Sequence, residues 1–345
     1  MQARENGAKI VTQTRCKSAQ RVDGVWLIEL ENEQGIYQIQ AKVLVNAAGP
    51  WVAQFIQQDL KLKSPYGIRL IQGSHIIVPK MYKGDKAFIM QNDDQRIVFA
   101  IPYLNQYTLI GTTDREYTGD PSQLEITQQE IEYLLDVAND HFKVQLIQTD
   151  IISTFSGVRP LCDDESDNPA AVTRDYTLAL SQDSVEEAPL LSVFGGKLTT
   201  YRKLAESAMG GVAKFFPKLT QSWTEKALLP GAENLDSVES LVADIEHKVK
   251  GIDLVTAQRW AHAYGTRVWR FLNHSTSVHE LGQDFGHGLY AQEVDYLADQ
   301  EWVVVSEDIL KRRTKLYLQF SEAEIQVLGE YLIGLHERRL QKDVA

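Results

Sequence analysis

Residues 190–200, LLSVFGGKLTT, combine residue types that could bind an anion. A short apolar run ends at Gly195 and Gly196, and Lys197 and two threonines then open a segment with helical spacing. Glycines let a backbone approach a ligand closely, and a helix N-terminus offers N–H groups and the positive end of a dipole. The alternative is a tight strand-to-helix turn, with a threonine as its helix cap. These residues alone favour neither interpretation.

Two arginines lie among predicted strands of this acidic chain. Arg159 precedes Pro160 in FSGVRPLCDDES, and Arg174 precedes Asp175 in TRDY. Guanidinium groups bind phosphates and other planar anions in bidentate fashion. The alternatives are local ion pairs, between Arg159 and the acidic run 163–165 and between Arg174 and Asp175.

Two further stretches are weaker signals. His75 lies in QGSHIIVP, and a lone histidine on a strand is more often structural than catalytic. NAAGPW, residues 46–51, places Ala47, Ala48 and Gly49 at the end of an apolar strand, where a flat ligand could come close. Ordinary packing is the alternative for these small residues.

The elements that must position these residues differ along the chain. Residues 1–50 have the alternation of strands, with a turn at Asp23 and Gly24, and the apolar run 43–47 suits a strand buried on both faces. Strands separated by Asn- and Asp-containing turns over residues 67–111 predict an antiparallel sheet. Thr127 and Glu130 form a capping box that predicts a helix. After about residue 223 helical periods dominate.

Composition limits the function classes. The chain has 345 residues, with 43% hydrophobic and 24% charged residues and a net charge of −12, which argues against general nucleic-acid binding. The two cysteines, Cys16 and Cys162, have no metal-ligand spacing, and no metal site is predicted. No apolar run is long enough to span a membrane, so a reducing, cytoplasmic setting is expected.

Seven strings in this order resemble the FAD-dependent glycerol-3-phosphate dehydrogenases of aerobic bacteria, within the D-amino-acid-oxidase-like superfamily. They are NAAGPW, IRLIQGSHIIVP, QNDDQRIVF, IGTTDREYTGDP, FSGVRPLCDDES, TRDYTL and LLSVFGGKLTTYRKLAE. The resemblance implies an α/β (α+β) FAD-dependent oxidoreductase fold. Its expected parts are the remaining segments of an FAD-binding domain (1–50 and 183–222), a substrate-binding antiparallel sheet (51–182) and a helical C-terminal domain (223–345).

The resemblance also implies an activity. Members oxidise sn-glycerol 3-phosphate to dihydroxyacetone phosphate by hydride transfer to FAD and pass electrons to membrane quinone. Arg159, Arg174 and Lys197 would then bind substrate, with His75 as general base and Arg159 stabilising the developing alkoxide. FAD would lie against Ala47, Ala48, Gly49, Trp51, Gly195, Gly196, Lys197, Leu198 and Thr199, with no room for a Cβ at Gly196.

Several alternatives remain open on the sequence alone. The family's opening βαβ unit with its G-x-G-x-x-G fingerprint is missing, so this chain alone is expected to bind FAD weakly and to be inactive. The alternatives are a glycerol-3-phosphate oxidase, another flavin oxidase of the superfamily, or a non-catalytic chain without cofactor. A homodimer, and contact of residues 311–315 with anionic lipid on the inner face of the membrane, are further possibilities.

Overall fold

The computed structural model describes residues 1–92, 94–163, 175–182 and 187–343. Within them the strands are β1 (Arg15–Val22), β2 (Val25–Asn32), β3 (Gly35–Ala41), β4 (Leu44–Asn46), β5 (Gly67–Pro79), β6 (Phe88–Gln91), β7 (Ile97–Tyr103), β8 (Tyr107–Gly111), β9 (Arg115–Tyr117), β10 (Ser153–Asp163), β11 (Tyr176–Ser181) and β12 (Leu190–Gly195). The α-helices are α1 (Gln2–Glu5), α2 (Val52–Gln54), α3 (Gln128–His141), α4 (Tyr201–Val212), α5 (Val238–Lys248), α6 (Leu254–Tyr264), α7 (Trp269–Leu272), α8 (Ala291–Gln300) and α9 (Glu322–Asp343).

The chain divides into two compact units. One is Gln13–Glu225, which holds all of the strands named above, and the other is Met1–Thr12 together with Lys226–Ala345. The helical unit was expected to begin near residue 223, close to where it does. Residues 1–12, which the sequence interpretation grouped with the strands that follow, pack with the helical unit.

A six-stranded antiparallel sheet forms the centre of the first unit. Its order is β10-β5-β8-β7-β6, with β9 also paired to β5. Helix α3 covers one face, where Ile76 and Val78 of β5 share a core with Leu134. Since side chains alternate along a strand, those of Gln72 and Ser74 face α3. Positions 73 and 75, occupied by Gly73 and His75, lie on the opposite face of the sheet. The antiparallel sheet predicted from the sequence is therefore confirmed.

The second sheet of this unit has the order β11-β12-β4. β11 is antiparallel to β12, whereas β4 is parallel to it. β11 falls within the expected substrate-binding segment 51–182, whereas its partner in the structure is β12. β4 lies at an edge of this three-stranded sheet and Val45 is 49% exposed, so within the described residues this strand is not buried on both faces.

The first three strands form an antiparallel meander with the predicted turn at Asp23 and Gly24. Its Trp26 packs in one core with Val52, Ile56 and Phe194. The segment after β4 is therefore packed with the meander and β12. It had been expected in the substrate-binding part.

The helical unit contains a buried carboxylate, that of Glu293. Glu293 is fully buried and accepts hydrogen bonds from both terminal nitrogens of Arg259 (2.6 and 2.7 Å), from Trp260 (2.8 Å) and from Tyr264 (2.5 Å). A buried charge is tolerated when it is paired and hydrogen-bonded in this way. The network therefore ties α6 to α8.

Three of the four basic residues proposed for lipid contact are paired with an acid. These three lie in a π-helical turn, Asp308–Arg313. Lys311 lies 3.0 Å from Glu307, Arg312 2.9 Å from Asp308 and Arg313 3.3 Å from Glu301. The fourth, Lys315, donates to the Arg312 carbonyl at 3.4 Å. This pairing favours a solvated helix face over contact with lipid. Among the residues that the structure describes, no helix has the length and apolarity to cross a bilayer, and no cluster of side chains could hold a metal ion.

Candidate active site

Two loops follow the carboxyl ends of neighbouring parallel strands of the second sheet, β4 and β12. In the parallel pair of β4 and β12, Ser192 lies opposite Asn46. The NAAGPW loop follows β4 and the GGKLTT turn follows β12. Open α/β sheets bind ligands at the carboxyl ends of parallel strands. The fold thus brings together two motifs that are about 150 residues apart in the sequence.

Backbone conformation explains both glycines of the turn. Gly195 has φ +75° and Gly196 has φ +110°, a region that other residues rarely adopt. A Cβ on Gly196 would also lie 3.1 Å from Cδ1 of Leu204. The chain's own backbone conformation therefore favours glycine at position 196, and the expectation that bound FAD also leaves no room for a Cβ there stays a prediction.

The turn continues into a 3₁₀ segment, Leu198–Thr200, and then α4. The predicted threonine cap is absent, since Thr200 instead donates its hydroxyl to the Lys197 carbonyl at 3.2 Å. Lys197, Leu198 and Thr199 are exposed, and Leu198 is 89% exposed. An apolar side chain beside the first N–H groups of a helix offers both a surface for a flat ring and donors for an anion.

Hydrogen bonds of the Asn46 side chain fix the conformation of the NAAGPW loop. This buried side chain donates to the Val52 carbonyl (2.9 Å) and accepts from the Ala48 amide (3.3 Å). Ala47 and Ala48 are exposed, and a Cβ on Gly49 (φ +56°) would meet no atom of the described residues within 4 Å. Trp51, at the end of the loop, is 41% exposed. The loop thus presents small side chains and one indole to open space.

Arg159 lies on β10 and reaches across β5. Its Nη2 donates to the Thr113 carbonyl at 3.2 Å and lies 3.5 Å from the Asp114 carboxylate. The ion-pair partner is therefore Asp114, whereas Asp163 lies beside Gly67 at the far end of the strand. Residues 164 and 165 of the acidic run lie outside the described residues. The Arg159 side chain is 39% exposed, so it can still meet an anion.

Gly73 makes room for this guanidinium. A Cβ at Gly73 would lie 2.8 Å from Nη2 of Arg159 and 2.5 Å from Oγ1 of Thr112. Gly157 on the facing strand pairs with Gly73, and a Cβ there would meet no atom of the described residues within 4 Å. The two paired glycines therefore differ in how much space surrounds them.

If Arg159 holds the substrate phosphate, as the family resemblance implies, Gly73→Ala should displace it and weaken phosphate-monoester binding roughly tenfold, since overpacking of this kind costs about 1–3 kcal/mol. The matched control is Gly157→Ala, which should bind like the wild type. Titration calorimetry with glycerol 3-phosphate measures both. Equal affinities for the two variants would contradict the role given to Gly73.

His75 lies on the same face of β5, two residues from Gly73. Burial, and secondarily the positive charge of Arg159, hold the pKa of His75 below its usual value. The imidazole is therefore neutral near pH 7 and able to accept a proton. Its Nδ1 is buried without a hydrogen-bond partner among the described residues.

Two neighbours shape the position of the His75 ring. A Cβ on Gly111 would collide with the Cδ2 of this ring, so glycine is required opposite the imidazole. Phe155 on β10 also pairs with His75, with ring centroids 6.0 Å apart. Phe155 is 61% exposed and forms an apolar wall beside the imidazole.

The strand that carries Arg159 also passes the glycine turn. A Cβ on Gly195 would lie 3.5 Å from the Pro160 carbonyl and 3.8 Å from the Cys162 amide. Pro160, the residue after Arg159, therefore packs against the glycine turn at Gly195. His75, Arg159 and Gly195 belong to one contiguous region of the first unit.

Arg174 lies outside the described residues, so its predicted role stays a prediction. The structure adds Gly73, Gly111, Thr113 and Asp114, which the sequence interpretation did not select. All four occur in strings already singled out, QGSHIIVP and IGTTDREYTGDP. Their roles depend on strand register, which composition and spacing do not reveal.

Comparison with known proteins decides the family. The family model described as FAD dependent oxidoreductase matches residues 1–202. The chain belongs to the FAD-dependent oxidoreductases. A second model, described as the C-terminal domain of alpha-glycerophosphate oxidase, matches residues 222–337. The fold class, the family and its cofactor, FAD, are thus as the motifs predicted.

Relatives within this family carry one recurring name. Glycerol-3-phosphate dehydrogenase of Pseudomonas aeruginosa is 58% identical over 98% of this chain, which covers 66% of that protein. Aerobic glycerol-3-phosphate dehydrogenase of Escherichia coli is 46% identical over 97% of this chain, which covers 67% of that protein. A crystal structure of glycerol-3-phosphate dehydrogenase from Bacillus halodurans complexed with FAD superposes with a TM-score of 0.79 at 26% identity, covering 99% of this chain and 69% of that one. The chain spans about two thirds of the length of these relatives.

Proposed function

We propose that this chain serves the FAD-dependent oxidation of sn-glycerol 3-phosphate to dihydroxyacetone phosphate. The observation that carries the proposal is that Arg159 and a neutral His75 lie together on one face of the sheet. The residue after Arg159, Pro160, also packs against the turn at Gly195. The names of the relatives support the same substrate.

Arg159 has the chemistry to hold the substrate phosphate. A guanidinium gives charge-assisted hydrogen bonds to a phosphate dianion, each contributing about 1.5–3 kcal/mol. Asp114 and the Thr113 carbonyl fix it before substrate arrives, so little ordering remains to be done on binding. Arg174 and Lys197 complete the substrate contacts that the family resemblance implies.

His75 is suited to remove the proton of the C2 hydroxyl. A general base must be unprotonated at working pH, and the lowered pKa of His75 ensures this. The charge of Arg159 also favours the alkoxide that develops as the proton leaves. Phe155 beside the imidazole keeps one side of the site apolar.

The residues of the two loops fit an isoalloxazine ring. An exposed leucine, small side chains with open space above them, and a helix N-terminus suit a flat apolar ring that carries negative charge at one edge. Ala47, Ala48, Gly49, Trp51 and residues 195–199 would hold FAD, which supplies the hydride acceptor when bound.

Two electron acceptors fit this reaction. Membrane quinone is the acceptor that the family resemblance implies, with the chain on the inner face of the membrane. Oxygen is the second candidate, because the C-terminal residues match a domain described from alpha-glycerophosphate oxidase.

The decisive experiment supplies FAD and glycerol 3-phosphate without oxygen and follows reduction of a soluble quinone analogue. We expect reduction with glycerol 3-phosphate and none with glycerol, which lacks the phosphate. Hydrogen peroxide formation in air, with no quinone reduction, would favour the oxidase. Absence of both reactions in FAD-loaded protein would refute the proposed function.

Lys197 gives a prediction about the bound cofactor. Lys197→Met removes a positive charge at the start of α4, and positive charge there favours the anionic reduced form over the neutral oxidised form. We expect a lower reduction potential, equivalent to roughly a two- to fivefold change in the equilibrium constant, the size of a charge effect at a helix end. A redox titration of FAD-loaded variant and wild type measures it, and an identical midpoint would show that Lys197 is only a solvated turn residue.

A further inference from the structure

A buried carboxylate lies beneath the candidate site, on the α3 face of the six-stranded sheet. Glu130 is 6% exposed, and no lysine or arginine among the described residues forms an ion pair with it. Its oxygens instead accept hydrogen bonds from five neutral donors: Thr113 Oγ1 (2.6 Å), Ser74 Oγ (2.9 Å), Gln72 Nε2 (3.3 Å), Thr127 N (2.9 Å) and Thr127 Oγ1 (2.9 Å).

Helix capping explains only part of this arrangement. The contact with the Thr127 amide is one half of the capping box at the start of α3, and the other half is the Glu130 amide, which donates to Thr127 Oγ1 at 3.3 Å. The contacts with Ser74 and Thr113 have nothing to do with the helix, since these residues lie 56 and 17 positions away in the chain. Burial raises the pKa of Glu130, but the hydrogen bonds from Thr113, Thr127 and Ser74 outweigh it and leave the pKa below its usual value. The carboxylate is therefore ionised and can hold several donors at once.

Thr113 connects this carboxylate to the opposite face. Its hydroxyl donates to Glu130 and accepts from the Ser74 amide at 2.9 Å, while its amide donates to the Ser74 carbonyl at 3.3 Å. Its own carbonyl accepts from Nη2 of Arg159. Asp114, the carboxylate nearest to Arg159, is the next residue. Both groups that fix the guanidinium thus belong to a segment that Glu130 holds.

We propose that Glu130 is a positioning residue for the Arg159 anion site, acting through Thr113 from the far side of the sheet. The proposal rests on the proposed function for the identity of the anion, a phosphate monoester, but the path from Glu130 to Arg159 does not depend on catalysis.

A double-mutant cycle on the full chain tests the path. Glu130→Gln keeps the shape of the side chain, removes its charge and replaces one acceptor oxygen by an NH₂ group. We expect it to weaken glycerol 3-phosphate binding roughly tenfold, the order expected when a buried hydrogen-bonded charge is lost. In an Arg159→Lys background the same change should cost less than about twofold, because the group through which Glu130 acts is already gone. Equal losses in the two backgrounds, or no loss in the first, would overturn the proposal.

Two control variants separate positioning from helix capping. Thr127→Val removes the cap hydroxyl but leaves the contacts of Glu130 with Ser74 and Thr113, so it should lower thermal stability without changing affinity. Glu324→Gln makes the same chemical change in the capping box of α9, where Glu324 accepts from the Ser321 amide at 2.8 Å. It should bind like the wild type. A loss of affinity in Thr127→Val as large as in Glu130→Gln would assign the effect to the helix cap.

A spectroscopic readout separates the role of Glu130 from the proposed function. The NMR signal of the Arg159 Nε–H group can be identified by its loss in Arg159→Lys. With no ligand present, this signal should shift in Glu130→Gln and stay in place in Thr127→Val. If the wild type fails to bind or oxidise glycerol 3-phosphate, the proposed function fails and this signal alone decides about Glu130. Should Glu130→Gln not fold, Thr113→Val removes the same contact, and Thr113→Ser should restore both the signal and the affinity.

Discussion

Arg159→Ala is expected to weaken glycerol 3-phosphate binding about 100-fold, the equivalent of one or two charge-assisted hydrogen bonds to a phosphate. The loss should be larger than simple removal of a contact, because the Asp114 carboxylate repels the incoming dianion once the charge of Arg159 is gone. Titration calorimetry measures the affinity, and steady-state kinetics should show a higher KM together with a lower kcat if Arg159 also stabilises the alkoxide.

Two comparison variants refine the interpretation of Arg159→Ala. Arg159→Lys keeps the charge but loses the planar fork, so it should recover only part of the affinity. Arg312→Ala removes an arginine that pairs with Asp308 in the helical unit and should leave binding unchanged. Near wild-type kinetics for Arg159→Ala would refute the role of this residue.

His75→Asn should lower kcat by about 10²–10⁴-fold, the usual contribution of a positioned general base, with a smaller effect on KM. Asparagine approximates the size of the imidazole near the backbone but cannot accept a proton at neutral pH. Steady-state turnover of the FAD-loaded variant measures the effect. A kcat within a few-fold of the wild type would leave His75 as a structural residue of the sheet.

The pH dependence gives a second check on His75. The base works only when it is unprotonated, so kcat/KM should fall with decreasing pH through a value below the usual histidine pKa. This acidic limb of the pH profile should disappear in His75→Asn. In Arg159→Ala it should move to higher pH, because removing a nearby positive charge favours the protonated imidazole. A limb that stays in place would contradict the electrostatic contact between the two residues.

Local patterns in the sequence predicted several elements correctly. The capping box at Thr127 and Glu130 marks the start of α3, and Asp23 and Gly24 form the first hairpin turn. These features depend on residues within a few positions of one another. The spacing of apolar and turn residues was likewise sufficient for the antiparallel sheet.

Long-range features were beyond such patterns. The capping box does not reveal that Glu130 also reaches Ser74 and Thr113, because that contact depends on how α3 packs on the sheet. The pairing of β11 with β12 was missed for the same reason, since the alternation of side chains along a strand does not identify its partner strand. The family resemblance supplied His75 and Arg159 but not Asp114, whose position follows from the register of β10, β5 and β9.

The space left by Gly73 has a consequence for how other sequences of the family are interpreted. Because a Cβ there would lie 2.8 Å from the Arg159 guanidinium, the two positions are not free to vary independently. Arginine at the position of Arg159 should occur together with glycine at the position of Gly73, and chains that carry a larger residue at the second should have abandoned the first. On the proposed role of Arg159, the pair should serve as a marker that separates members that hold a phosphate here from members whose substrates lack one.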